Sequence, residues 1–226
     1  MQFGNVDIEF LGHSGFRIKI KNEKIIVIDP YNLDEKAVGD KADIILITHS
    51  HYDHCSIKDI EMIRKEGSVV ICPADVQSKI TRIEGLKMEI IEAGDELALG
   101  HLKIEAIPAY NTNTERNFHT KKDAWVGYVV KYDNIIIYHS GDSDLTKEME
   151  RLSGYGKQGN IFIALLPVSG KFVMDVEEAV EVAKKINPSI VIPMHYGSIV
   201  GTIGDAERFV KRCKEEGIRA QILNRI

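Results

Sequence analysis

Cysteine is scarce in this chain. Cys55, Cys72 and Cys213 are the only three in 226 residues, and no two stand in C-x-x-C spacing. A disulfide framework is thereby excluded, and buried thiols in a reducing compartment are expected. No apolar run approaches the roughly 20 residues needed to span a bilayer. Met1-Gln2-Phe3-Gly4 carries no basic start and no apolar stretch behind it, so no signal peptide is expected and the protein is placed in the cytoplasm. There is no Lys/Arg block, and 34 acidic against 29 basic residues give a net charge of -5, which argues against nucleic acid as a main partner. No Gly-x-Ser-x-Gly elbow is present, so a serine nucleophile is not expected. Linkers, low-complexity tracts and internal repeats are also missing, and residues 1–226 read as a single domain.

What is present is concentrated in six residues, His49-Ser50-His51-Tyr52-Asp53-His54. This H-x-H-x-D-H run follows the apolar, β-branched stretch 43–48. Three imidazoles and a carboxylate at this spacing are the nitrogen and oxygen ligands of zinc and its divalent neighbours. Residues two apart in an extended chain point the same way, so His49 and His51 can reach one ion. If a helix starts just after them, Asp53 and His54 turn elsewhere and can serve a second ion at the two-metal spacing of roughly 3.5–4 Å. Cys55 would compete for directions with His54 and is read as a small helix-start residue.

Period-two alternation predicts strands at 6–10 and 16–20, and further strands at 24–28 and 44–48. Ser56, with an acid three residues on, predicts a helix over 56–66 closed by Gly67. Strands are predicted at 68–72, 87–91, 96–99 and 102–107, a helix at 75–83, and a hairpin of 125–132 with 134–139. The last third alternates strand and helix: strands at 161–166, 189–193 and 219–223, helices at 175–186 and 205–216. Sheets covered by helices are the expected architecture. Residues 110–123 are long, polar and without periodicity, as functional loops are.

Further ligands are sought where strands end. Gly141 lets the backbone turn, and Asp142 after it is placed to bridge two ions; a turn Asp bonded to its own backbone is the plainer alternative. His195 closes the stretch 190–194 beside Tyr196-Gly197, in position to ligate.

These motifs, in this order, resemble the metallo-β-lactamase superfamily of hydrolases. Leu11-Gly12-His13-Ser14-Gly15-Phe16 with Ile28-Asp29-Pro30 is similar to the branch holding the L-ascorbate-6-phosphate lactonase-like proteins. The resemblance implies an α/β fold, a four-layer αβ/βα sandwich, and two divalent metal ions. Zinc is the first expectation, with Mn, Fe or Ni admitted by the carboxylates and manganese suggested by the lactonase likeness. His49 and His51 would bind the first ion, Asp53, His54 and His195 the second, and Asp142 would bridge. The family's further histidine on the first ion is missing from Pro108-Ala109-Tyr110-Asn111. Either His119 fills the role, or Asn111 occupies the position, where it would meet substrate. Asp29 is expected to hold a cluster histidine through its second ring nitrogen, His139 to pack behind the Gly141-Asp142 turn, and His13 to face the reacting groups.

The activity implied is hydrolysis by metal-activated water, with Asp53 orienting the nucleophile. A small-molecule ester, lactone or phosphoester is the expected substrate, possibly phosphorylated, with Arg116, Lys121 and Lys122 available for an anion. A phosphodiesterase acting on nucleotides or phospholipids, and a non-catalytic metal-binding or ligand-sensing protein, are the alternatives.

Overall fold

The alternating and β-branched runs of the first ninety residues build one sheet. A computed structural model describes residues 1–226, which gather into two units, Met1–Glu92 with Leu223–Ile226, and Ala93–Ile222.

The first unit holds seven strands in sequence order: β1 (Gln2–Phe3), β2 (Val6–Gly12), β3 (Gly15–Ile20), β4 (Ile25–Ile28), β5 (Ala42–Leu46), β6 (Arg64–Cys72) and β7 (Lys87–Ile90). The first four pair antiparallel and β4 through β7 pair parallel. Three short crossover helices link the parallel strands: α1 (Glu35–Val38), α2 (Ile57–Ile63) and α3 (Ala74–Ile80). Parallel strands covered by helices read as continuous apolar runs. Accordingly Val27, Ile45 and Val70 are buried together with Ile60, Ile63, Val76 and Ile80. Each such side chain contributes roughly 1.5–3 kcal/mol relative to exposure.

Helix α2 ends three residues before the predicted stop. Arg64 is already extended and pairs with Ala42. Ser68 Oγ donates to Ala42 O (2.7 Å) and accepts from Lys65 N (2.8 Å). Sheet hydrogen bonds from a distant strand therefore outcompete one more helical turn, and Gly67 (φ 83°) serves an irregular strand entry. Helix α3 likewise stops at Ile80 rather than 83. The predicted strand at 219–223 is reduced to an isolated bridge between Ala220 and Val191, while Arg225 bridges Phe10.

The second unit is a six-stranded sheet in the order β13-β12-β11-β10-β9-β8. Its strands are β8 (Glu96–Leu99), β9 (Leu102–Pro108), β10 (Val126–Tyr132), β11 (Ile135–His139), β12 (Ile161–Pro167) and β13 (Ile190–Met194). Strands β8 to β11 run antiparallel to their neighbours, and β11, β12 and β13 are parallel. Helix α4 (Val176–Ile186) opens with a capping box of Asp175 and Glu178 and closes at Asn187 in the left-handed region. It buries Val176, Ala179, Val180, Ala183 and Ile186 at helical spacing. Helix α5 (Ile203–Glu215) starts two residues earlier than predicted, because Thr202 and Asp205 form its capping box. A 3-10 helix at Lys147–Gly154 has no counterpart in the sequence pattern. No helix is long and apolar enough to cross a membrane. The mixed α/β class with two sheets is the one expected.

Candidate metal centre

In the first unit, β5 runs out at Leu46 and the H-x-H-x-D-H turn follows at the carboxyl end of the parallel strands, where open α/β sheets place their ligands. The turn is closed by His54 N donating to His51 O (3.1 Å) and Cys55 N to the same oxygen (2.8 Å). It brings His49 Nε2 to 3.1 Å from His51 Nδ1 and stacks the His49 and His54 rings 4.1 Å apart. His13, from the turn between β2 and β3, places Nε2 3.0 Å from Asp53 Oδ2. One ligand atom from each of His13, Asp53 and His54 lies within 4.8 Å of the other two.

Asp29 orients this cluster. Fully buried after β4, it accepts from His54 Nδ1 (2.7 Å), Thr48 N (2.8 Å) and Thr48 Oγ1 (2.6 Å). With its Nδ1 proton given to Asp29, His54 turns a lone pair outward at Nε2. Thr48 extends the relay. Its hydroxyl donates to Asp29 and so accepts from His49 Nδ1 (2.9 Å), leaving the His49 lone pair at Nε2 as well. One buried carboxylate thus sets the tautomers of two cluster histidines. Thr48 was not singled out from the sequence; its only signal is a polar residue closing an apolar strand directly before the first histidine.

The second unit carries its own convergence. The Gly141 turn (φ 61°) is held by Gly141 N donating to His139 Nδ1 (3.1 Å), and it presents buried Asp142. Asp142 Oδ2 lies 3.2 Å from His119 Nε2 and 3.1 Å from His195 Nε2. His119 Nδ1 donates to Phe172 O (3.1 Å), and its ring packs edge-on against Trp125 at 5.4 Å. His195 Nδ1 lies 3.0 Å from Ser169 Oγ. With Nδ1 donating to Phe172 O, neutral His119 turns its Nε2 lone pair toward the Asp142 oxygen, two electron-rich atoms that a proton or a cation must reconcile. A buried carboxylate with two imidazoles is a donor set of the kind that divalent ions accept, and the residues present therefore fit a metal.

Asn111 is committed elsewhere. Its Oδ1 accepts from His119 N (2.9 Å) and Phe118 N (3.2 Å), and its Nδ2 donates to Asp144 Oδ1 (3.2 Å) and Phe172 O (3.0 Å). The amide fixes the backbone of His119 and has no donor left for substrate. Arg116 is likewise not an anion receptor. It is buried, with Nη1 2.8 Å from Asp144 and Nη2 2.5 Å from Glu178. Lys121 pairs with Glu148 (3.0 Å) over the Tyr110 ring, so of the three cations expected to meet an anion only Lys122 stands clear of such pairing. Asp144, also missed from the sequence, accepts in addition from Thr112 N and Asn113 N (2.9 and 3.0 Å) and so anchors the loop that carries His119. Its signal is the second acid of Gly141-Asp142-Ser143-Asp144.

Comparison with known proteins identifies the family. A family profile described as a beta-lactamase superfamily domain matches residues 7–195. A UPF0173 metal-dependent hydrolase of Nanoarchaeum equitans is 32% identical over 225 residues, covering 96% of both chains. The crystal structure of a Parabacteroides distasonis protein superposes with a TM-score of 0.82 at 29% identity, covering 97% of this chain and 94% of that one. A metallo hydrolase from Ignicoccus hospitalis shares the fold, with a TM-score of 0.78 at 24% identity over 97% and 95% of the two chains. The chain belongs to the metallo-β-lactamase superfamily and is one of its metal-dependent hydrolases.

Proposed function

We propose that this hydrolase cleaves an ester or lactone bond of a small metabolite, using two divalent ions, zinc in the first instance, with Mn, Fe or Ni as alternatives. In this reading the two units act as one catalytic domain. His49, His51 and His119 would hold one ion and Asp53, His54 and His195 the other, with Asp142 serving both. His119 takes the role rather than Asn111, because the Asn111 amide is saturated by Phe118 and His119 of its own loop and by Asp144 and Phe172. The observation that carries the reading is the H-x-H-x-D-H turn, where ligand atoms of His13, Asp53 and His54 gather within 4.8 Å beside the His49–His51 pair.

When bound, the ions supply a water acidic enough to be deprotonated near neutral pH and polarise the substrate oxygen. The chain's own residues do the rest. Asp53 orients the attacking water, and His13, 3.0 Å from its Oδ2, holds that carboxylate in place and faces the reacting groups. Asp29 keeps His54 and, through Thr48, His49 in the ligating tautomer. His139 supports the turn that delivers Asp142. The buried, unbridged thiols of Cys55, Cys72 and Cys213 support a cytoplasmic setting.

Elemental analysis of purified protein, with a panel of lactones, esters and bis-p-nitrophenyl phosphate, tests the proposal. Two ions per chain are expected, with lactone or ester turnover abolished by chelation and by Asp53→Ala. Faster cleavage of the phosphodiester would replace the substrate assignment. Turnover indifferent to chelator would overturn the mechanism.

A further inference from the structure

Few large apolar side chains of this protein are strongly exposed, and two of them adjoin the ligands. Tyr52 is 63% exposed and sits between His51 and Asp53; Phe118 is 52% exposed and directly precedes His119. Single exposed apolar residues are ordinary and need no explanation. These two differ because each packs against a second aromatic residue that itself contacts a ligand-side residue, Tyr31 through its ring and Phe172 through its carbonyl.

In the first unit the Tyr52 ring stands edge-on to Tyr31 (6.0 Å, 75°), and Tyr31 stands edge-on to His13 (5.8 Å, 63°). His13 in turn meets Asp53. A continuous aromatic path leads from solvent to the carboxylate that orients the nucleophile. In the second unit Phe118 packs edge-on to Phe172 (4.6 Å, 79°), whose carbonyl accepts from His119 Nδ1. Both ligand sets therefore carry a rigidly supported, solvent-facing ring one residue away. Aromatic rings offer large contact area at little conformational cost, which is why they line sites for apolar ligands. The charge pattern points the same way. Arg116 is locked between Asp144 and Glu178 and Lys121 is paired with Glu148, which leaves Lys122 as the one cation of this loop clear of an acidic partner.

We propose that Tyr52 and Phe118 are specificity-determining residues and that the substrate is a neutral ester or lactone bearing an aromatic or similarly flat apolar group, not a phosphorylated one. The proposal rests on the hydrolase reading above and narrows its substrate class. Each ring, beside the candidate ligands of its own unit, offers a flat apolar face to that group.

Two measurements on the metal-loaded protein test this. Calorimetric titration with phenylacetate and with acetate compares ligands that share a carboxylate and differ by a ring. Phenylacetate is expected to bind at least tenfold more tightly, and Tyr52→Ala is expected to remove most of that difference while Tyr52→Phe retains it. Kinetically, the ratio of kcat/KM for dihydrocoumarin over a 6-phosphorylated sugar lactone is expected to exceed ten. Tyr52→Ala and Phe118→Ala should each lower this ratio about five- to tenfold through KM, with metal content unchanged. Equal binding of the two carboxylates, a preference for the phosphorylated lactone, or a ratio indifferent to both substitutions would overturn the proposal. If neither lactone is turned over, the hydrolase reading fails, and the carboxylate titration still decides whether the rings select an apolar group.

Discussion

Gly127→Ala is the sharpest test of how the fold holds Asp142. Gly127 lies in β10, paired with Ile107, with an ordinary negative φ, so alanine meets no backbone strain there. Space is the obstacle. A Cβ at this position would stand 2.5 Å from His139 O, 2.6 Å from Ser140 O and 2.7 Å from Ser140 C. All three are backbone atoms and cannot rotate away. The nearest falls about 0.9 Å short of the 3.4 Å at which ordinary contact begins, so the β11 end must move by most of an ångström. Overpacking of this kind costs about 1–3 kcal/mol. For a chain of this length that lowers Tm by roughly 2–4 °C per kcal/mol.

The displaced atoms directly precede Gly141 and Asp142. The shift therefore reaches a carboxylate whose Oδ2 meets His119 and His195 at 3.2 and 3.1 Å. A 1 Å misplacement of a catalytic group costs about 100-fold in rate. Gly127→Ala is thus expected to lose metal as well as stability, with kcat/KM down about 100-fold. Calorimetry with and without chelator, together with metal per chain, reads both effects. Gly154→Ala is the control, since nothing lies within 4 Å of its added carbon and its φ is ordinary. A Gly127→Ala protein with native Tm and native metal content would refute the reasoning.

Three other outcomes follow from the same geometry. Asp29→Asn removes the charged acceptor of the His54 and Thr48 hydrogen bonds and should weaken metal affinity by about 10- to 100-fold, measured by competition with a chromogenic chelator. Arg116→Met strips the buried Asp144 of its ion pair while Glu178 remains partly solvated; a loss of about 3 kcal/mol and faster amide exchange over residues 111–119 are expected, and unchanged exchange there would count against the anchoring role. Burial pushes the Glu105 carboxyl up, but hydrogen bonds from Lys131 Nζ and the Tyr155 hydroxyl outweigh it and hold the group below its usual 4.5. The unfolded chain then binds more protons in the window just below that value, so this contribution is present above it and lost as pH falls through the folded value. Tm should decline more steeply below pH 4.5 in the native protein than in Glu105→Gln, and parallel declines would show that the cluster contributes nothing.

The first half of the candidate site was legible because it is contiguous: one strand end and one tight turn bring His49, His51, Asp53 and His54 together, so local spacing carries the information. Strands with alternating or β-branched runs were legible for the same reason, and the metallo-β-lactamase fold class followed from them and the motifs. What escaped is non-local. The early end of α2 is decided by pairing of Arg64 with Ala42, and no local propensity records that. The choice between Asn111 and His119 turns on eight residues of loop, whose path is set by Asp144 and Phe172 from later in the chain. Arg116 looked like a solvated loop cation because its two acidic partners lie 28 and 62 residues away.

Backbone strain separates the residues kept for chemistry from those kept for turns. Nine non-glycine residues have positive φ, and five of them, Asn22, Asp29, Asn32, Asp133 and Asn187, are the Asn and Asp types that tolerate it. His13 (φ 53°), Asp29 (φ 46°) and His195 (φ 59°) stand apart by burial: the other six are exposed, while these three are buried and belong to the candidate centre. Each such conformation costs about 1–3 kcal/mol, and glycine would adopt it more readily. A glycine, however, could not meet Asp53 from position 13, hold His54 from position 29, or reach Asp142 from position 195. The strained backbone is retained because the side chain at that point in space is worth more to the site than the relaxation is worth to the fold. Strain confined to exposed turns would carry no such message; located at three buried polar residues of the candidate centre, it is what a site preorganised before any substrate arrives would require.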